Sequence, residues 1–145
     1  MRLRSACGVA LVLLTGTAPA LAYQPKVNYQ LQCMGCHHGD GAGEPGRVPS
    51  IRKTLVSFSA LPDGRDFVLR VPGVAQAPLS DADIAALLNW MARNLSDVAL
   101  PDGFVDYSAD EVGRVRHQPL VGVSDVRRQL LERISARAEH SGSDR

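Results

Sequence analysis

The sequence predicts an all-α fold, and three observations predict it. Apolar residues recur at helical spacing in two segments, Ile84, Leu87, Leu88, Met91 and Leu95, then Val126, Leu130, Leu131 and Ile134. Two segments open on capping signatures, Ser80 with Asp83 and Ser108 with Glu111, each pair spaced so that the serine caps the amide of the acidic residue. No stretch shows the two-residue alternation of a half-buried strand.

Taken in order, residues 1–22 carry Arg2 and Arg4, an apolar run from Ala6 to Leu14 and the small-residue site Ala20-Leu21-Ala22, the layout of a cleaved export signal. The run is shorter than the roughly 20 residues a bilayer span needs, and nothing later is comparably apolar. The expectation is a signal peptide at 1–22 and export to the periplasm, with no membrane span left after cleavage. Cys7 would leave with the leader. Loss of Arg2 and Arg4 takes the formal charge from +1 to −1, which leaves no basic field for nucleic acid. With 5% aromatic residues, a base-stacking surface is equally unsupported.

After Pro25 no breaker interrupts Lys26 to Gln32, so a short helix is expected to end at the cysteines, with Tyr29 and Leu31 turned inward. Val48-Pro49-Ser50-Ile51 leads into a mixed stretch to Ala60, and Pro62-Asp63-Gly64 reads as a turn. Arg65 to Val71 reads as a short helix stopped by Pro72-Gly73. The clearest helix starts after Ser80, with Trp90 beside its apolar stripe. Beyond Leu100-Pro101-Asp102-Gly103 a further helix follows Ser108, and a last one runs from Ser124 to about Arg137 with its arginines toward solvent. A polar, frayed tail is expected after Glu139. The domain expectation is 23–98 as the core and 99–145 as a helical extension.

Cys33-Met34-Gly35-Cys36-His37 has the C-x-x-C-H spacing of a c-type haem attachment site. Both thiols fall within one turn and can reach vinyl groups on one side of a porphyrin, while His37 presents its imidazole to the iron. Two other readings use the same residues. A redox disulfide of the thioredoxin type would open a helix within a strand-helix-strand pattern, whereas here Cys36 runs into His37-His38-Gly39-Asp40-Gly41-Ala42-Gly43. A structural zinc site needs four ligands, and beyond the leader there is no third cysteine. Gly39, Gly41, Gly43 and Gly46 would let the backbone run close to a flat cofactor edge, although an ordinary flexible loop has the same spacing. His38 is expected at an edge, unable to reach the opposite haem face.

These residues resemble the class I cytochrome c family over roughly Tyr23 to Leu95. The attachment motif followed by Gly41 and Gly43, Val48-Pro49 where the family has a proline, and Leu79-Ser80-Asp81 leading into a helix with Trp90 carry the likeness. The resemblance implies a cytochrome c-like helical domain around one haem c, joined covalently through Cys33 and Cys36, with His37 as the proximal iron ligand. It also implies the Pro49 carbonyl as acceptor for the second imidazole nitrogen of His37. In the family a methionine usually precedes the last core helix. Here the loop Val71-Pro72-Gly73-Val74-Ala75-Gln76-Ala77-Pro78 has none. Met91, His117 and His140 are then the candidate sixth ligands, with water or an empty position as the other outcome. The expected function is a periplasmic electron-transfer protein rather than an enzyme, on its own or as an accessory subunit. Its redox partner would be a periplasmic dehydrogenase or a respiratory-chain component. The alternative is a five-coordinate haem protein that binds a small ligand or peroxide, with Arg70 and Gln76 the polar residues near the loop in sequence.

Overall fold

The computed structural model describes residues 23–143, and the expected signal peptide at 1–22 lies outside the described residues. Among the described residues the chain is all-α, with one isolated bridge between Glu44 and Val48 as its only β pairing. The first helix, α1 (Pro25–Gln32), starts on Pro25, whose missing amide proton costs nothing at that position. It runs through Cys33 into a single turn, α2 (Met34–His37). Tyr29 is buried as expected, but Leu31 is 61% exposed, a correction. The helix is too short to have two buried faces, and the one that packs carries Asn28 and Tyr29.

The mixed stretch forms a helix, α3 (Ile51–Ser59), with Leu55, Val56 and Phe58 buried. Pro62 does not make a free turn. It opens α4 (Pro62–Arg70), and Pro72 likewise opens the short α5 (Pro72–Ala75) rather than only stopping what precedes it. Gly64 lets α4 leave α3 at close quarters: a Cβ there would fall deep inside contact distance of the Phe58 carbonyl oxygen. Phe58 and Phe67 then meet edge to face, with ring centroids 5.5 Å apart.

The long core helix, α6 (Asp81–Asn94), is capped as its sequence predicts. The Ser80 hydroxyl accepts from the Asp83 amide at 3.1 Å and donates to the Asp83 carboxylate at 2.6 Å. Ile84, Leu87, Leu88 and Met91 are buried along one face. Its C-terminal half packs on α1, where the Tyr29 and Trp90 rings lie 5.7 Å apart.

The segment after Leu100 packs into the same core. It holds α7 (Ala109–Val115), capped by Ser108 on the Glu111 amide at 3.2 Å, and α8 (Val123–Ser143), which runs beyond the expected end near Arg137. Tyr107, Val112 and Leu130 belong to one cluster with Leu61, Leu69 and Ile84. Polar bonds fix the register. Asn89 brackets the Tyr107 backbone with bonds of 2.9 and 2.8 Å, and the Tyr107 hydroxyl shares a 2.7 Å bond with Ser59. Arg65 grips the Glu111 carboxylate at 2.7 and 2.8 Å and donates to the Val105 and Asp106 carbonyls. Arg133 of α8 pairs with Asp63 of α4, so the arginines of the last helix are not simply a solvated face. No helix among the described residues is long and apolar enough to cross a membrane.

Candidate functional site

The α1–α2 junction sets the spacing of the motif. The Cys36 and His37 amides both bond back to the Cys33 carbonyl, at 3.2 and 2.9 Å, so a single turn puts two sulfurs and an imidazole on one edge. The turn ends at His38, whose backbone (φ 61°, ψ 172°) lies in a region that side chains other than glycine disfavour. Two bonds hold it there: its amide donates to the Met34 carbonyl at 2.9 Å, and its carbonyl accepts the buried Tyr29 hydroxyl at 2.6 Å. The His38 side chain is exposed, at the edge where the sequence placed it.

The loop after His38 then folds back beneath His37. Gly43 donates to the His37 carbonyl at 3.2 Å and has φ +70°. A Cβ on Gly43 would stand 2.8 Å from the Pro49 carbonyl oxygen and still closer to that of Val48. Glycine is therefore required both by conformation and by the approach of the Val48-Pro49 segment. This brings the Pro49 carbonyl beside His37, whose buried Nδ1 lacks a hydrogen bond of normal geometry. Burial lowers the His37 pKa, the Pro49 carbonyl opposes that more weakly, and His38 lowers it further. The outcome favours the neutral imidazole that a metal requires.

Cys33, Cys36 and His37 open onto a cavity of about 360 Å³, within the range of cofactor pockets. Its remaining lining is largely apolar: Leu55 and Phe58 of α3, Phe67 and Val68 of α4, Val71, Val74 and Ala77 around α5, and Leu87, Leu88 and Met91 of α6. An apolar trough beside two thiols and a neutral imidazole fits a porphyrin plate attached along one edge. The other uses of the motif fit less well. Burial pushes the Cys33 thiol up to about 11, the opposite of an activated redox cysteine. Among the described residues, no group of three or more His, Cys, Asp and Glu side chains comes together to hold a metal ion.

The remaining candidates scatter. Met91 lies in the cavity wall, 5% exposed. His117 is exposed, with its Nε2 accepting from Arg116 at 3.1 Å, and His140 is exposed on the last turns of α8. Gln76 is exposed, and Arg70 is turned to the Gln118 and Pro119 carbonyls. Val123 and Arg127 of α8, which no local pattern points to, close one side of the cavity. Arg127 also borders a neighbouring groove with Arg47 and Lys53, and its guanidinium lies 6.0 Å from the Phe58 ring centroid. Nothing in an arginine-rich helix distinguishes the one that faces inward.

Comparison with known proteins finds no matching family model. The chain is similar to a cytochrome c-552 of Thermus thermophilus, 32% identical over 130 residues that cover 77% of this chain and 86% of that one. It is also similar to a second cytochrome c-552 of Thermus thermophilus, 31% identical over 107 residues, covering 61% and 82%. The longer match takes in more of the chain than residues 23–98 alone supply, so the likeness is not confined to the expected core.

Proposed function

The chain belongs to the class I c-type cytochrome family and is an electron-transfer protein with covalently bound haem c, and from that premise we propose how its residues serve that role. Cys33 and Cys36 form the thioethers and His37 binds the iron, steadied by the Pro49 carbonyl. Arg47, Lys53 and Arg127, around the adjoining groove, hold the porphyrin carboxylates. The bound group supplies a one-electron couple whose potential is set by its axial ligands and its surroundings. The protein contributes an apolar wall that keeps water away and an attachment edge that reaches the surface. Cys36 is exposed, and Leu31 (61%) and Met34 (38%) stand out beside it, an apolar rim suited to the brief, small contacts of redox proteins.

We place the protein in the periplasm, released by cleavage before Tyr23, exchanging electrons with a dehydrogenase or a respiratory-chain component. The single observation that carries the reading is the presence of both thiols and the His37 imidazole on one edge of one largely apolar cavity. The test is expression in a host able to mature c-type cytochromes. The product should begin at Tyr23, keep its haem after denaturation, and undergo reversible one-electron reduction. Replacing both Cys33 and Cys36 by serine should abolish covalent retention; haem that stays bound to the double variant after denaturation contradicts the assignment.

A further inference from the structure

We propose that the porphyrin face opposite His37 receives no protein ligand and forms an apolar binding pocket for a small uncharged diatomic molecule of the carbon monoxide or nitric oxide class. The proposal rests on haem attachment at Cys33, Cys36 and His37. It follows from how the two sides of the cavity are built.

The side that carries His37 is lined by the end of α1, by α2 and by Pro49 and Ser50, with the glycine loop and the C-terminal end of α6 packed behind it. Leu95, the residue that ends α6, lies so close to Gly41 that a Cβ on the glycine would stand 3.5 Å from the Leu95 Cβ. The Leu95 amide donates to the Met91 carbonyl, and Met91 lies one turn earlier on the same stripe. On this proposal Met91, which shares the cavity-lining face of α6 with Leu87 and Leu88, belongs to the wall that His37 occupies. A ligand trans to His37 has to come from the other wall.

That wall is α4 and α5, presenting Phe67, Val68, Val71, Val74 and Ala77. None of these side chains has a lone pair to offer iron. His117 and His140 are outside the cavity, and His38 sits on the attachment edge. The polarity of the distal side decides between binding and activation of a ligand. Arg70 is held by the Gln118 and Pro119 carbonyls, and Gln76 is exposed, so neither supplies an acid or base there. The Thr54 hydroxyl, on α3, is spent on the Ser50 carbonyl at 2.8 Å. Arg127, on the α8 side of the cavity, is taken by the porphyrin carboxylates in the reading above, so the α4–α5 wall is fitted to hold a neutral diatomic rather than to cleave peroxide, and its occupancy would be coupled to the electron-transfer potential of the same iron.

The test uses the matured holoprotein, reduced, with carbon monoxide as the probe. The expected result is a high-spin ferrous spectrum that converts to a low-spin adduct with saturable binding. Met91→Leu should keep that spin state. Val74→Met should place a thioether on the opposite wall; if it occupies the iron in nine molecules of ten, apparent affinity for carbon monoxide falls roughly tenfold. A ferrous protein that is already low-spin and indifferent to carbon monoxide overturns the proposal, as does conversion from low to high spin by Met91→Leu. If denatured chain keeps its haem while the native iron refuses the gas, the pocket is wrong and the attachment stands. A colourless product of the maturing host removes both.

Discussion

The two walls of the cavity are held in different ways. The wall bearing the attachment motif is fixed by directional bonds to backbone: Tyr29 to the His38 carbonyl, Gly43 to the His37 carbonyl, and a loop in which Gly41, Gly43 and Gly46 all have positive φ. The opposite wall is side chains against side chains, Phe58 on Phe67 with Val68 and Val71, and its position is set from outside by Arg65 and the segment after Leu100. Hydrogen bonds specify where an atom lies, whereas apolar contact specifies mainly that water is absent. A fixed iron ligand needs the first kind of wall, and a pocket that only shields needs the second.

The largest effect that separates the walls should come from their glycines. Gly43→Ala and Gly64→Ala each bring a Cβ into a carbonyl oxygen, and each should cost about 3 kcal/mol in urea unfolding, with the positive φ adding to the first. Only Gly43→Ala should also disturb the imidazole of His37, seen as a shifted reduction potential. Equal potential shifts from both variants would erase the distinction.

A middle-sized effect should come from the outer clamp. Arg65 and Glu111 are 15% and 21% exposed, and Arg65→Met should cost about 2 kcal/mol, less than a fully buried pair, by leaving Glu111 and two carbonyls unpaired. The Arg65 hydrogen bond is the main cause holding the Glu111 carboxyl below its ordinary value. A carboxyl depressed in the folded state contributes stability that is present above its unfolded pKa and is lost as pH falls through the folded one. Acid unfolding of the wild type should steepen below the ordinary glutamate range, and Glu111→Gln should flatten that slope.

The smallest effects should come from one strained residue. Tyr29→Phe removes a bond to His38 and should cost about 1 kcal/mol. His38→Gly relieves the positive φ and should gain about 1 kcal/mol. Covalent haem yield should be unchanged in both, measured on denaturing gels stained for haem. The opposite signs at two ends of one hydrogen bond would show that the strain is imposed by the fold rather than by the side chain.

Legibility in the sequence follows the same division. The caps at Ser80 and Ser108 and the buried stripe of α6 are local patterns, and each forms as read. Pro62 reads as part of a turn and Pro72 as a stop, yet each opens a helix, because a residue that cannot continue a helix is well suited to begin one. The stretch 51–59 looked mixed because Arg52, Lys53 and Thr54 interrupt its apolar residues, and only packing on α4 shows which face counts. Leu31, expected inside, is exposed beside the motif because one short helix has room for a single buried face. Val123 and Arg127 were beyond reach. Their place in the cavity is a matter of tertiary register, set by contacts such as Arg133 with Asp63 far away in sequence.

The position of those last two residues also bears on assembly. Cys33 and His37 come early in the chain, while Val123 and Arg127, which shut one side of the hollow, come near its end. A chain delivered from its N-terminus passes through a stage in which the receptacle is open along that flank. The lining of the hollow is therefore complete only once α8 is in place, with Val123 and Arg127 as its contribution.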